Sequence, residues 1–181
     1  MGTGDQFIDA KFILQKAGTI EGASVADLGC GTGYFIFPAS QLVGVRGKVF
    51  AVDVLQNTLK KIADRAREEG KTNIVTVWSD LEVFRGAKDI PDNTLDVALI
   101  INTLFQAKNR EAMMREAARM VKRGGHLLIV EWKLSLAPFG PATAVRVPPD
   151  SVRMYGRALH LDEAYSFEAG QYHYGILFKK V

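Results

Sequence analysis

The sequence predicts a doubly wound α/β domain, and three observations carry that expectation. Short apolar, β-branched runs alternate with helix-period segments along the first 132 residues, the pattern of a parallel sheet crossed by helices. One of those runs passes through a glycine-rich turn, Asp27-Leu28-Gly29-Cys30-Gly31-Thr32-Gly33, into an apolar segment suited to a helix. Glycine lacks Cβ and tolerates positive φ, so such a turn lets backbone approach a ligand closely. Acidic residues, Asp53 and Asp80, stand at the ends of the next two apolar runs, where open α/β sheets bind ligands.

The elements follow in order. Residues 5–17 read as a short helix with Ile8, Phe12, Ile13 and Ala17 near one face and Gly18 ending it. The first strand is Ser24 to Leu28. After the glycine turn comes a helix containing Pro38, which removes one backbone donor. Gly44 and Gly47 lead to the second strand, 48–53. Leu59, Ile62, Ala63 and Ala66 repeat at helical spacing up to Gly70. Ile74 to Trp78 is rich in β-branched residues and forms the third strand. Pro91-Asp92-Asn93 signals a turn. Leu95 to Ile101 is almost wholly apolar, as a strand buried on both faces should be. Met113, Ala117, Met120 and Val121 mark a further helix, with Lys122-Arg123-Gly124-Gly125 as its C-terminal chemistry. His126 to Trp132 is the fifth strand.

The last third reads differently. Residues 133–149 hold Pro138, Gly140, Pro141, Pro148 and Pro149 and predict a long irregular loop, a feature that is usually functional or disordered. Val152, Tyr155 and Leu159 suggest a short helix capped by Asp150 or Ser151. Ala164–Glu168 and Tyr172–Lys180 alternate as two strands around Ala169-Gly170, and so short a turn makes them antiparallel. Tyr172, Tyr174, Ile176 and Phe178 share a face. The whole is one Rossmann-like domain spanning 1–181: a seven-stranded, mostly parallel sheet closed by an antiparallel hairpin, with helices on both faces. Residues 1–22 would form a short lid, and 133–160 would lie on the substrate side.

Composition narrows the classes. The net charge of +3 is scattered, with no block of like charge that would argue for nucleic acid. Cys30 is the only cysteine, which excludes an intramolecular disulfide and a cysteine-rich zinc site. It reads as a small buried loop residue rather than a nucleophile. His126, His160 and His173 show no metal-ligand spacing, so no metal is expected. The polar start Met1-Gly2-Thr3-Gly4-Asp5-Gln6 lacks a secretory apolar stretch, and no run of about 18 apolar residues would span a bilayer. A cytoplasmic protein is the expectation.

The ligand class follows from a comparison with the dinucleotide fingerprint G-x-G-x-x-G. Here the glycines fall at 29, 31 and 33, and Tyr34 stands where the third would be. Asp27, Asp53 and Asp80 place three carboxylates at one crevice, which suits a cationic, phosphate-free nucleoside better than a pyrophosphate.

On these residues the chain resembles a class I S-adenosylmethionine-dependent methyltransferase of the small methyltransferase-11/25-like kind. Asp27–Gly33 matches the first motif of that family, Gly47-Lys48-Val49-Phe50-Ala51-Val52-Asp53 the second, and Asp92-Asn93-Thr94-Leu95-Asp96-Val97 the approach to the fourth strand. Lys122 to Glu131 is similar to the lead into the fifth, and the closing hairpin is the family's ending.

The resemblance implies S-adenosylmethionine as cofactor and S-adenosylhomocysteine as product. Gly29, Cys30, Gly31, Thr32 and Gly33 would lie against the methionine part. Asp27 would fix the loop and face the amino group. Asp53 would hold the ribose hydroxyls, Val54 would pack on adenine, and Asp80 with the Leu81 amide would read the adenine edge. Asn102 and Leu104 would border the transferred methyl. Taken alone, Asp53 and Asp80 could each be a helix cap.

Methyl transfer from a sulfonium is an in-line displacement, so alignment and desolvation are the main tasks. No catalytic base is assigned. Tyr34, Gln106, Glu131 and Lys133 are the candidates near the mouth, and Glu131 could equally pair with Lys133. The tract Glu131-Trp132-Lys133 and its Pro/Gly loop resembles quinone-biosynthesis and arsenite methyltransferases. Arsenite chemistry needs several thiols, which sets it aside. Relative to quinone enzymes, both the N-terminal lid and the insertion before the last hairpin are short. A small-molecule methyl acceptor is therefore expected, with a protein acceptor left open and nucleic acid disfavoured. A short lid fits either an exposed acceptor or a cap from a second subunit of a homo-oligomer. The alternative is a non-catalytic cofactor-binding or partner subunit that keeps the fold.

Overall fold

The computed structural model describes residues 8–135 and 137–181. Seven strands form one sheet in the order β3-β2-β1-β4-β5-β7-β6. They are β1 (Ser24–Leu28), β2 (Lys48–Asp53), β3 (Ile74–Trp78), β4 (Leu95–Ile101), β5 (Val121–Trp132), β6 (Leu161–Glu168) and β7 (His173–Lys180). β1 to β5 pair in parallel, and β7 runs antiparallel between β5 and β6. The seven-stranded, mostly parallel sheet with a closing hairpin is thus the architecture the sequence predicts.

The period-2 geometry of the strands divides the core in two. Val25, Val49, Ala51, Val97, Leu99, Leu128 and Val130 face one layer, built with helices α1 (Ala10–Lys16), α2 (Ile36–Val43) and α3 (Gln56–Glu68). Ala26, Leu28, Val52, Ala98, Ile100, Leu127 and Ile129 face the other, covered by α4 (Arg110–Met120) and α5 (Pro149–Ala158). Leu95, Val97 and Ala98 through Ile100 are essentially inaccessible, as a central parallel strand requires.

Between β3 and β4 no α-helix intervenes among the described residues. Leu81, Ala87 and Ile90 fill that part of the second layer instead. A buried ion pair holds the connection. Glu116 of α4 accepts the amides of Arg85 and Ala87 and two donors of Arg119. Arg119 also donates to the carbonyls of Ala87 and Ile90 and to Asp92. Loop carbonyls and amides that no helix satisfies are thereby paired with side chains, as buried backbone groups must be.

Several boundaries differ from the sequence expectation, and β7 begins at His173 rather than Tyr172. α1 begins at Ala10, capped by Asp9, whose side chain accepts the Phe12 amide at 3.0 Å; residues 5–7 lie outside the described residues. β5 begins at Val121, because Val121 pairs with Leu95 across a bulge before the regular register resumes at Val97–His126. Lys122–Gly125 therefore belongs to a strand rather than to a helix end. α5 is not capped by Asp150 or Ser151: it starts on Pro149 after Pro148, the proline-first geometry of a helix N-terminus. β6 extends back to Leu161.

Candidate functional site

The strand order reverses between β1 and β4, and the crevice outside the carboxyl ends of these strands is where open α/β sheets take ligands. The glycine loop leaves β1 there. Gly29 and Cys30 both donate their amides to the Val52 carbonyl, at 2.8 and 3.0 Å, pinning the loop to β2. Gly29, Gly31 and Gly33 all have positive φ. Their surroundings differ. A Cβ on Gly29 would stand 2.3 Å from Thr103 Cγ2, and one on Gly33 would stand 3.1 Å from Ile62 of α3. A Cβ on Gly31 would meet nothing within 4 Å. Gly29 and Gly33 are thus small for packing, whereas Gly31 borders open space.

Asp53 closes the loop from β2. One carboxylate oxygen accepts the Gly31 amide at 3.0 Å, and the other accepts the Leu55 amide at 2.9 Å. An ionised carboxylate offers about four acceptor positions, so this clamp leaves capacity for hydroxyl donors. Asp53 is 8% exposed, and Val54 beside it is 57% exposed. The Ser79 amide donates to the Asp53 carbonyl, which brings the β3 exit alongside. The indole N–H of Trp78 donates to the Val54 carbonyl. Asp80 is exposed and turns its carboxylate onto the Glu82 amide, while Leu81 is buried in the second core layer. Asp27 is buried beneath the loop. Thr32 is exposed, and Cys30 is buried. Burial, with the Asp27 and Asp53 charges behind it, drives the Cys30 thiol far up, so it stays protonated.

The β4 exit forms the other wall. Asn102 adopts φ +52° and donates its amide to the Val130 carbonyl at 2.9 Å. A 3-10 turn, Leu104–Gln106, follows. The Gln106 side chain folds back to donate to the Asn102 carbonyl. Leu104 is fully buried with its side chain in the core, so only its main chain is available to the crevice. Thr103 bridges the walls, its hydroxyl 3.3 Å from the Gly29 carbonyl. Sequence reasoning missed Thr103, and no local signal could have found a contact 74 residues apart.

The candidates for a base separate clearly. The Tyr34 hydroxyl donates to the Ile8 carbonyl at 2.9 Å, tying the glycine loop to the N-terminal segment. Lys133 pairs with Glu168 and donates to the Gln171 carbonyl, so it is not the partner of Glu131. Glu131 is wholly buried below the 3-10 turn. The 133–148 loop is strapped by Arg146, whose guanidinium donates to the carbonyls of Lys133, Ser135 and Pro141 and lies over Trp132. Among the described residues no group of three or more His, Cys, Asp or Glu side chains could hold a metal. No described helix is long and apolar enough to cross a membrane.

A glycine loop clamped by the carboxylate at the end of β2, at the switch point of a sheet of this order, is the candidate ligand site of the chain. The model of the ubiE/COQ5 methyltransferase family matches residues 5–141, and the chain belongs to that family. It is 32% identical over 123 residues to the ubiquinone/menaquinone biosynthesis C-methyltransferase UbiE of Shewanella sediminis, covering 67% of this chain and 47% of that protein. The UbiE of Hahella chejuensis is 32% identical over 129 residues, 71% of this chain and 50% of the relative. The chain thus spans about half the length of these relatives. In fold it is similar to a SAM-dependent methyltransferase from Aquifex aeolicus, with a TM-score of 0.89 at 24% identity over 100% of this chain and 94% of the other. It is also similar to a geranyl diphosphate methyltransferase in complex with SAM, with a TM-score of 0.77 at 15% identity over 95% and 84%.

Proposed function

We propose that this chain binds S-adenosylmethionine across the carboxyl ends of β1 and β4 and transfers its methyl group to a small-molecule acceptor. The observation that carries this reading is the Asp53 clamp: one carboxylate holds the Gly31 amide and still has acceptor capacity for a ribose diol. The residues present fit the cofactor. Gly31 opens toward free space, which a backbone-lined methionine site needs. Val54 offers an exposed apolar surface for adenine, and Asp80 and Leu81 follow shortly after Trp78, which pairs with Asp53 and bonds the Val54 carbonyl. Asn102 and the 3-10 turn leave β4 beside the glycine loop, which Thr103 contacts at the Gly29 carbonyl, and would border the methionine end.

When bound, the cofactor supplies a methyl group on a sulfonium, already activated for in-line displacement. The chain's own work is orientation and exclusion of water. Tyr34 and Lys133 are engaged with other groups and Glu131 is buried, so none of the three is assigned as a base. The kinship to UbiE favours a carbon acceptor on a quinone-type ring. The Arg146-strapped loop after β5, with Leu134 and Val145 exposed on it, would lie on the acceptor side.

Calorimetric titration with S-adenosylmethionine, S-adenosylhomocysteine and NAD tests the site, with Asp53→Ala as control. Binding of the first two alone, weakened at least about tenfold in the variant, supports it. Binding of NAD, or of none, refutes it. Turnover is read as S-adenosylhomocysteine formed with a demethylated hydroquinone. Cofactor binding without turnover on any of a panel of acceptors would favour a non-catalytic subunit.

A further inference from the structure

Glu131 ends β5 with its side chain wholly buried. Its Oε1 accepts the Phe105 amide at 3.2 Å, and its Oε2 is buried with no hydrogen-bond partner. A buried carboxyl supported only by backbone amides, with no cation beside it, is costly as pure scaffold, since an apolar side chain of similar size would avoid the desolvation. The groups around it do not neutralise it. Tyr174, opposite it on β7, gives its hydroxyl to the Val147 carbonyl. Arg110, at the head of α4, donates to the Val145 carbonyl and acts on Glu131 only as a weak, more distant charge. Arg153 of α5 is paired with Glu163 and Asp150. Lys133 is paired with Glu168.

What Glu131 does hold is the turn leaving β4. Phe105 sits in the middle of that turn. Gln106 at its end binds the Asn102 carbonyl, and Thr103 at its start reaches the Gly29 carbonyl of the glycine loop. Asn102, in left-handed backbone at φ +52°, marks the segment as one the surroundings force into place. We propose that Glu131 is a positioning residue for methyl transfer: through the Phe105 amide its carboxyl fixes the Asn102–Gln106 wall against which the cofactor's methionine end is aligned. The inference rests on the function proposed above and adds a control to it. Burial, opposed by the amides of Phe105, Leu104 and Trp132, pushes the Glu131 carboxyl up to about 7. The grip on the turn is therefore set by a group that titrates near neutrality. The ionised form accepts the amide as a charge-assisted bond, roughly twice as strong as the neutral form makes.

The test is cofactor affinity between pH 6 and pH 8 for the wild type and Glu131→Gln, with S-adenosylmethionine and S-adenosylhomocysteine side by side. Amide exchange at Phe105 is followed in the free protein. Glu131→Gln keeps an acceptor for the Phe105 amide but cannot ionise. The wild type should gain about fivefold in affinity for both cofactors as pH rises through 7, relative to the variant, whose ratio between the two ligands stays level. Phe105 should gain protection over the same range in the wild type only. A gain confined to S-adenosylmethionine would mean a direct charge effect on the sulfonium and would overturn the positioning role. So would a pH step that survives in Glu131→Gln. If the wild type bound neither cofactor, the methyltransferase reading would fail by itself, and Phe105 protection would still decide whether Glu131 governs the turn.

Discussion

The hydroxyl of Thr103 lies 2.9 Å from the Ile101 carbonyl and 3.3 Å from the Gly29 carbonyl, sharing its proton between the end of β4 and the start of the glycine loop. The contact is possible only because residue 29 has no Cβ, and it joins the two walls of the crevice across the point where the strand order reverses.

Gly29→Ala should therefore destabilise the protein and distort the site. The new Cβ would sit 2.3 Å from Thr103 Cγ2 at a φ of +82°. Left-handed backbone costs a non-glycine residue about 1–2 kcal/mol, and the clash adds to that. Adding Thr103→Ala should recover part of the loss by removing Cγ2, but not the backbone strain. Chemical denaturation of the single and double variants checks this; full recovery would show that φ at residue 29 is unimportant.

Asp53→Asn is the subtler partner of Asp53→Ala. An amide oxygen can keep one of the two backbone bonds, to Gly31 or to Leu55, while its NH2 faces the other donor. Cofactor affinity should fall by about 10–100-fold in Asn and further in Ala, following the loss of charge-assisted bonds worth about 1.5–3 kcal/mol each. Calorimetry reads both. Equal affinity of Asn and wild type would mean that the carboxylate charge is not used.

Glu116→Ala should be among the most destabilising single changes in the second core layer. It removes the acceptor of the Arg85 and Ala87 amides and leaves Arg119, 6% exposed, without its main counter-charge. Breaking such a buried pair costs about 3–5 kcal/mol. Pairing it with Arg119→Met should not restore stability, because the Arg85 and Ala87 amides and the Ile90 carbonyl remain unsatisfied. Denaturant midpoints of Glu116→Ala, Arg119→Met and the double variant separate the charge effect from the backbone effect.

Two buried groups tilt the pH–stability profile in opposite senses. His173 has no exposed surface, both its ring nitrogens lack partners, and burial with the nearby Arg146 and Lys133 charges pushes it down to about 4. Between about 6.5 and 4 the unfolded chain binds a proton that the folded one does not, so stability falls as pH drops through that window. Glu131 does the reverse. The folded carboxyl keeps its proton up to about 7 while the unfolded one loses it from about 4.5, so stability falls as pH rises between those values. Each contribution is on the order of 3 kcal/mol. His173→Phe should flatten the acid side and Glu131→Gln the neutral side; thermal midpoints from pH 4 to pH 8 would reveal a variant that left its limb unchanged.

Local chemistry was legible wherever the informative residues are close in sequence. The four strands from β1 to β4 fall where their apolar runs predicted. The Asp53 clamp lies at a strand end that the sequence marks, with the Leu55 amide only two residues on. The start of β5 was not legible, because Lys122–Gly125 has the composition of a helix end and becomes strand only through the Val121–Leu95 pairing across a bulge. The cap of α5 was misread for a related reason: Pro149 at the first position needs no cap acceptor for its missing N–H, so Asp150 and Ser151 are left within the helix.

The sequence by itself determined the order of elements, the glycine loop with its strand-end carboxylates, and the family. Periodicity, turn chemistry and strand-end carboxylates are properties of neighbouring residues. Only the tertiary structure decided which distant groups meet. It placed Thr103 on Gly29 and gave Lys133 to Glu168 rather than to Glu131. It also buried Glu131 under Phe105. These contacts depend on strand register and on how the turn after β4 folds over β5, and a hydrogen bond that requires atoms within about 3 Å is settled by that packing rather than by composition.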